Sequence, residues 1–373
     1  MMKKLATIAT ALLISATATA QPLKLRMAHI GLIYPISSNG INAKEYTNVL
    51  SLHAIAGVSR SEIGFCGAGV SNIIFDNTDG VVLGGFSTHI FNNANGFVAS
   101  GFMNTVKNDV KGVEAAGFLN TATDVKGAQL AGFTNISTGA VTGFQGAGFA
   151  NVATKAVYGT QVAGFVNVTR HAEGPQLAGF INVAEDANMQ VAGFINVAKQ
   201  VRGVQAAGFI NIADSSDFPI GIINIIKKGE KAIGFTIDEN LTALTTFRSG
   251  GRVMYGVIGV GANLRSNKEM YAVEAGLGAH IPVSKGFRIN VEATSSAFAK
   301  FYEGSYMRSS LRVLPAFMIG NKVEIFAGPT LNHYHSNDYK GDEMSNNYLW
   351  SDTYWDYFNG INVGGMAGIQ FHL

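Results

Sequence analysis

The chain carries a single cysteine, Cys66, among its 373 residues. That excludes an internal disulfide framework and a cysteine-rich metal site, and Cys66 itself reads as a small buried or half-buried apolar residue. Proline is scarce at 7 residues, charged residues make up only 14%, and no run of 18 apolar residues follows residue 20. The last absence excludes helical membrane spans. A basic excess is missing as well. Two of the 27 basic residues, Lys3 and Lys4, lie in an N-terminal stretch expected to be removed, which leaves 25 (27 − 2) against 25 acidic ones. A neutral chain offers no cationic face, so nucleic acid is not expected as a partner.

Glycine is what the chain has in abundance, at 45 residues. Much glycine, little charge and no helical period indicate a chain built of strands. The N-terminus reads as a secretory signal peptide: Lys3 and Lys4, an apolar run from Leu5 to Ile14, then Ala18-Thr19-Ala20 as the cleavage site. Cleavage is expected after Ala20. No cysteine follows that site, which argues against a lipid anchor.

A phrase then recurs. Residues 174–214 hold three near-copies of Q-x-A-G-F-I-N-[VI]-A, and related copies step along the chain every 13 to 16 residues from Gly101 to Gly221, with weaker ones at Gly69 and Gly85. Asn stands three places after the glycine, from Asn104 to Asn224, and Gln three places before it, from Gln129 to Gln205. Such self-similarity sets the architecture before any single motif does. In GVQAAGFINIA (203–213), Val204, Ala206, Gly208, Ile210 and Ile212 share one apolar face. Gln205, Ala207, Phe209 and Asn211 share the other. Period two means strand, and the charges (Glu185, Asp186, Lys199, Arg202, Asp214) gather between the strands.

Two all-β architectures fit. In an antiparallel outer-membrane-type β-barrel each repeat is one membrane-spanning strand, and roughly twenty strands close the wall. Antiparallel neighbours would then set Gln opposite Asn and Ala opposite Phe, and Ile181 and Ile210 would face lipid while Gln176 and Gln205 would not. In the alternative, a β-solenoid repeat region precedes a smaller C-terminal β-barrel, and each repeat is one coil of two short strands meeting near the glycine, with Asn and Phe stacked in ladders. The even step favours the solenoid; uninterrupted alternation favours the barrel, which is the first expectation.

The flanks support a barrel. Two strands are expected at 23–37 and 47–60, joined through Ser38-Asn39-Gly40. Past the repeats, Tyr271, Val273, Ala275, Leu277, Ala279 and Ile281 form one face against Glu274 and His280, and Phe287, Ile289, Val291 and Ala293 oppose Arg288, Asn290 and Glu292. Further strands are expected at 251–263, 308–319 and 321–332, and the last segment alternates from Val363 to Leu373. Apolar outside and charged inside is what lipid and water require of a barrel wall. The chain thus divides into a signal peptide (1–20), N-terminal strands (21–63), the repeat region (64–227) and C-terminal barrel strands (228–373) with a long loop at 333–360.

The Q-x-A-G-[FL]-x-N-x-A repeats, the run FPIGIINIIKKGEK (218–231) and the ending GIQFHL resemble the bacterial surface-repeat proteins of Gram-negative outer membranes. The repeats cover about half of the chain. The resemblance implies an outer-membrane location and a repeat architecture. The family has no established activity, so it implies no catalytic residue.

Few residues suggest chemistry. GVIGVG (256–261) sits inside an alternating strand with no helix behind it, so it is not a phosphate loop. Repeated Asn and Gln read as structural amides rather than a ligand ladder. His333 and His335 point the same way and could take a metal with Asp338, but a third defined ligand is missing. Glu274, Glu292, Arg288 and His280 could converge inside a barrel, as a water-filled lumen would also arrange. The loop 333–360 concentrates both tryptophans; Trp350, Asp352, Tyr354 and Trp355 form the candidate ligand-binding site, where aromatic planes beside acids suit a sugar or an interfacial belt. The expected role is non-enzymatic and without cofactor: structural or interactive at the cell surface, with small-solute passage as a further role. The expected partners are outer-membrane lipid and a glycan or protein surface ligand. In the alternative, the surface-exposed solenoid itself binds the glycan or protein.

Overall fold

The computed structural model describes residues 24–265, 270–299, 305–337, 345, 347–355 and 357–373; the expected signal peptide lies outside them. The fold is all-β, a parallel β-solenoid of about 11 turns plus a closed antiparallel barrel of 8 strands. The second of the two architectures is therefore the one observed, and the repeats are not antiparallel barrel strands. The chain falls into two compact units, residues 1–116 and 117–373.

In the second unit each repeat is one coil. Gln200–Ala207 and Ile210–Ala213 are the two strands of one such coil, with Gly208 and Phe209 at the corner between them. Neighbouring coils pair in parallel and in register, so that like meets like: Gln161↔Gln176, Asn167↔Asn182, Ile181↔Ile195. The expected pairing of Gln with Asn and Ala with Phe is thus replaced by ladders of identical side chains. Their mutual hydrogen bonds and stacking are what a strict repeat makes available to a parallel stack. The corner explains the glycine. A Cβ on Gly193 would land on the Gly179 carbonyl oxygen, and one on Gly208 on that of Gly193. A second glycine bends the first strand of many coils; Gly143 has φ 131° and lies over the Gly127 carbonyl. Both positions exclude a side chain.

The first unit is built the same way. Lys24–Ile33 pairs in parallel with Tyr46–Ser59, and the turn through Gly40 opens a 3-10 helix, Gly40–Glu45. Coils then follow in register, for example Thr78–Gly84 on Ala94–Ser100.

The last coil, Ser215–Ile220 and Ile223–Ile226, leads into the barrel at Glu230–Asp238. Seven further strands follow, each antiparallel to its neighbour: Thr242–Gly250, Met254–Asn263, Met270–Ser284, Phe287–Ala299, Ser305–Ile319, Val323–Ser336 and Tyr357–His372. The last pairs with the first, from Ala232↔His372 to Asp238↔Met366, and closes the wall. The roughly twenty strands expected of one barrel are eight because the repeats stack upon themselves and never enter the wall. Ile233, Phe235, Val273, Leu311, Phe317 and Val363 face outward; Arg248, Glu274, Glu292 and Arg312 are buried inside. The barrel's bottom hairpin caps the last coil: the Asn224 backbone N–H donates to Ser249 Oγ at 3.2 Å, and Gly251 and Gly256 lie against backbone carbonyls of Ser216 and Ile222.

Candidate functional site

The repeated amides are inside. At the repeat positions, Gln129, Gln145, Gln161, Gln176, Gln190 and Gln205 are fully buried, and so is each Asn three places after the corner glycine, from Asn120 to Asn224. Each Asn Nδ2 donates forward to the Oδ1 of the next coil's Asn at 2.9–3.0 Å, from Asn120 to Asn224. Its second hydrogen goes to a backbone carbonyl of that coil at 2.7–2.9 Å, as from Asn135 to Gly146 and from Asn182 to Val191. Each Gln Nε2 donates backward to the preceding Gln Oε1 at 2.8–3.1 Å. The two ladders run in opposite directions, so their dipoles oppose. A buried amide must be paired, and the repeat supplies the partner. The amides of these ladders are thus used within the stack itself.

Turning the chain at the corner moves Phe209 outside, although parity had placed it with Gln205 and Asn211. From Phe118 to Phe209 the corner rings stack with centroids 4.7–5.3 Å apart and planes within 13°, the spacing that strand separation imposes. Val191, Ile195, Ile210 and Ile212, next in sequence to the buried Gln190, Asn196 and Asn211, alternate outward and are half-buried. The opposite edge is charged, with exposed pairs Arg170–Glu185, Lys199–Glu185 and Arg202–Glu173. Ring faces in the stack are taken up by neighbouring rings, so the ridge offers ring edges. A sugar, which needs an open aromatic face, is not matched there.

In the first unit a polar cluster fills the first coils. Ser51 Oγ donates to both Glu62 oxygens at 2.9 and 2.8 Å, Asn48 Nδ2 donates to Glu62 Oε1 at 3.0 Å, and His29 and His53 meet edge to face at 4.5 Å. Burial pushes the Glu62 carboxyl up to about 7, against the pull of its hydrogen bonds from Asn48, Ser59 and Ser51. Burial, assisted by His53, pushes His29 down to about 4, and burial lowers His53. Cys66 is buried as expected, donates to Asn72 Oδ1 at 3.2 Å, and burial raises its thiol. The Ser51, His53 and Glu62 trio has the elements of an acyl-transfer site, but all three are closed off from solvent. It is a polar cap.

The barrel interior is filled by charges in pairs. Arg248 Nε donates to Glu292 at 2.8 Å, the Tyr255 hydroxyl donates to the same oxygen at 3.0 Å, and Arg312 bridges Glu274 (2.8 Å) and Glu292 (3.5 Å). Arg308 pairs with Asp238. Arg288 and His280 belong to a second group, with Glu230, Glu324 and Asn290. Of the four residues expected to converge, Glu274 and Glu292 share one guanidinium, and Arg288 and His280 stand apart from them. Arg248, Arg312, Arg308 and Tyr255 were not singled out in the sequence. Their signal was the parity of Arg248 with Thr246 and of Arg312 with Arg308. Above this layer Leu244, Phe298, Tyr306, Tyr334 and Phe358 close the interior with an apolar cluster.

The candidate aromatic residues form a hairpin. Trp350–Tyr354 pairs with the start of the last strand, Tyr354↔Tyr357, and Trp355 turns the chain at φ 55°. Trp350, Asp352 and Tyr354 alternate onto one face, and all four candidate residues are exposed, Trp355 at 80%. The Tyr354 and Trp355 rings are tilted to each other with centroids 6.3 Å apart. His333 and His335 share the outer face of Val323–Ser336, and His335 Nδ1 is 3.0 Å from Asn359 Oδ1. Asp338 lies outside the described residues, and among those described no three His, Cys, Asp or Glu are grouped to hold a metal. No family model, curated protein or solved structure matches the chain.

Proposed function

We propose that the chain is a non-enzymatic outer-membrane protein in which the eight-stranded barrel is the anchor and the solenoid is a binding module for a protein ligand. One observation carries the reading: the barrel is apolar outside while its interior holds buried ion pairs. In water that arrangement would expose a wide apolar belt; in a bilayer it is the expected wall. A barrel of eight strands is just wide enough for side chains to fill, and this one is filled, so passage of solutes is no part of the proposal. The ridge of ring edges and aliphatic side chains suits an apolar protein surface better than a glycan.

The test uses full-length protein in isolated membranes. Retention through an alkaline wash, and an SDS-gel mobility that changes on boiling, are expected. Complete release without detergent would refute the anchor. A glycan reading survives at the hairpin, where Trp350, Tyr354 and Trp355 are exposed on the same short segment as Asp352. Both of the chain's tryptophans lie there, so intrinsic fluorescence reports on that site directly. Unchanged emission across a panel of oligosaccharides would remove it.

A further inference from the structure

We propose that the solenoid coils of residues 117–226 lie on the periplasmic side of the membrane and the aromatic hairpin on the outer side. The proposal rests on the outer-membrane reading above and goes beyond it by giving the protein a direction. The two ends of the barrel differ. At one end the connections are 251–253, 285–286 and 320–322; at the other they are 239–241, 264–269, 300–304 and 337–356, the last carrying the hairpin. Outer-membrane barrels set short turns toward the periplasm and longer loops outside.

The solenoid sits at the short-turn end. Asn224 Nδ2 donates to the Ser249 carbonyl at 3.3 Å, Gly229 packs on the Gly250 carbonyl, and Gly251 on that of Ser216. An even strand number returns the chain to the end where it entered. Glu230 begins the first strand there and His372 ends the last, with the Leu373 N–H donating to the Lys231 carbonyl at 2.9 Å. With both ends of the barrel chain on one side, none of the coils of residues 117–226 has to cross the bilayer. The charged edge of the coils, with Arg170, Glu185, Lys199 and Asp214, would be costly to pass across, and the filled barrel offers it no path. The partner of the phenylalanine ridge is then a periplasmic protein surface, and a surface ligand meets the hairpin end of the barrel rather than the coils.

Single cysteines placed in full-length protein test this on a Cys66→Ser background, which keeps the hydrogen bond to Asn72. Lys199→Cys marks the solenoid edge and Trp355→Cys the hairpin, with Arg170→Cys and Tyr354→Cys as second positions should either variant lose its heat-modifiable band. A membrane-impermeant maleimide is added to intact cells and to cells with a permeabilised outer membrane. The expected result is hairpin labelling in intact cells and solenoid labelling that rises at least tenfold on permeabilisation. Solenoid labelling in intact cells overturns the proposal, whatever the hairpin does. A membrane-retained protein whose hairpin labels only after permeabilisation also overturns it. Release of the protein as a soluble species on permeabilisation instead overturns the outer-membrane reading on which the proposal stands.

Discussion

The solenoid coils and the barrel of the second unit both bury polar groups and set large apolar side chains outward, yet they satisfy the buried groups differently. The coils use neutral amides, each bonded to its own copy one turn away. The barrel uses ions, each paired with a residue far off in sequence: Arg248 with Glu292, Arg308 with Asp238. A repeat supplies identical partners at a fixed spacing, and only a group that is both donor and acceptor can bond to itself. Side-chain amides meet that condition; carboxylates and guanidinia do not. A barrel without internal repeat has no such lattice, so complementary charges must be placed one by one. The difference should appear as a difference in what single substitutions cost.

The largest effect is expected in the barrel. Arg312→Ala leaves Glu274 and Glu292 buried with less compensation, at a cost of about 3–5 kcal/mol. Urea titration of full-length protein in lipid should show it, and the unboiled gel band should weaken. Arg312→Met combined with Glu274→Gln should recover much of the loss, because it removes charge from both sides. If the single and double variants are equally unstable, unpaired charge is not the cause.

A break in the amide ladder comes next. Asn182→Ala removes the partner of Asn167 and the donor to Asn196 and Val191, at a cost of about 2–3 kcal/mol. Position should matter as well. Gln205 ends the Gln ladder, where register sets it against Pro219, and its Oε1 has no partner among the described residues. Gln205→Met should therefore cost about 1 kcal/mol less than Gln176→Met, measured by the same titration. Equal costs would mean that the ladder does not act as a chain.

The way the two interiors are written also decides what could be read from the sequence. The barrel wall was legible strand by strand, since Glu274, His280, Arg288 and Glu292 each fell on the polar parity and each is inside. Their partners were not legible, because the contacts join strands with no local sequence relation. For the repeats, unit length and offsets were legible, but direction was not: period two is the same in a parallel coil and an antiparallel wall. Gly208 and Phe209 broke the strand without breaking the alternation, so two short strands looked like one long one. The identical offsets of Asn and Gln were the better guide, because only in-register parallel stacking brings like onto like.

Glu62 sharpens the contrast, as a carboxyl inside a solenoid. Its proton is held in the folded chain up to about pH 7, whereas an unfolded glutamate gives it up near 4.5. Stability from this group is full below pH 4.5 and is lost as pH rises through 7, a change on the order of 3 kcal/mol. His29 acts in the opposite sense: neutral when folded until about pH 4, it costs stability as pH falls below 6.5. Glu62→Gln should stabilise the first coils at pH 8 and leave only the histidine slope. Hydrogen exchange of residues 46–74 at pH 5 and 8 would check this. A Glu62→Gln variant with unchanged pH dependence would mean that the carboxyl is ionised in its cap.

The smallest stability effect belongs to the ridge, and there function and folding should separate. Phe165 stacks on Phe149 and Phe180 at 5.0 and 4.9 Å but remains 39% exposed. Phe165→Ala should cost about 1 kcal/mol, since no buried polar partner is stranded. If the ridge is a docking surface, the same change removes contact area at its middle and weakens capture of a protein partner far more than the stability loss accounts for. Asn182→Ala, one coil away and fully buried, provides the opposite case, a large stability loss with an untouched outer face. Cross-linking of the two variants in intact cells, at matched folded amounts, distinguishes them: Phe165→Ala should lose the adduct and Asn182→Ala should keep it. The reverse pattern would mean that the phenylalanines only hold the coils at their spacing, and that binding depends on coil integrity.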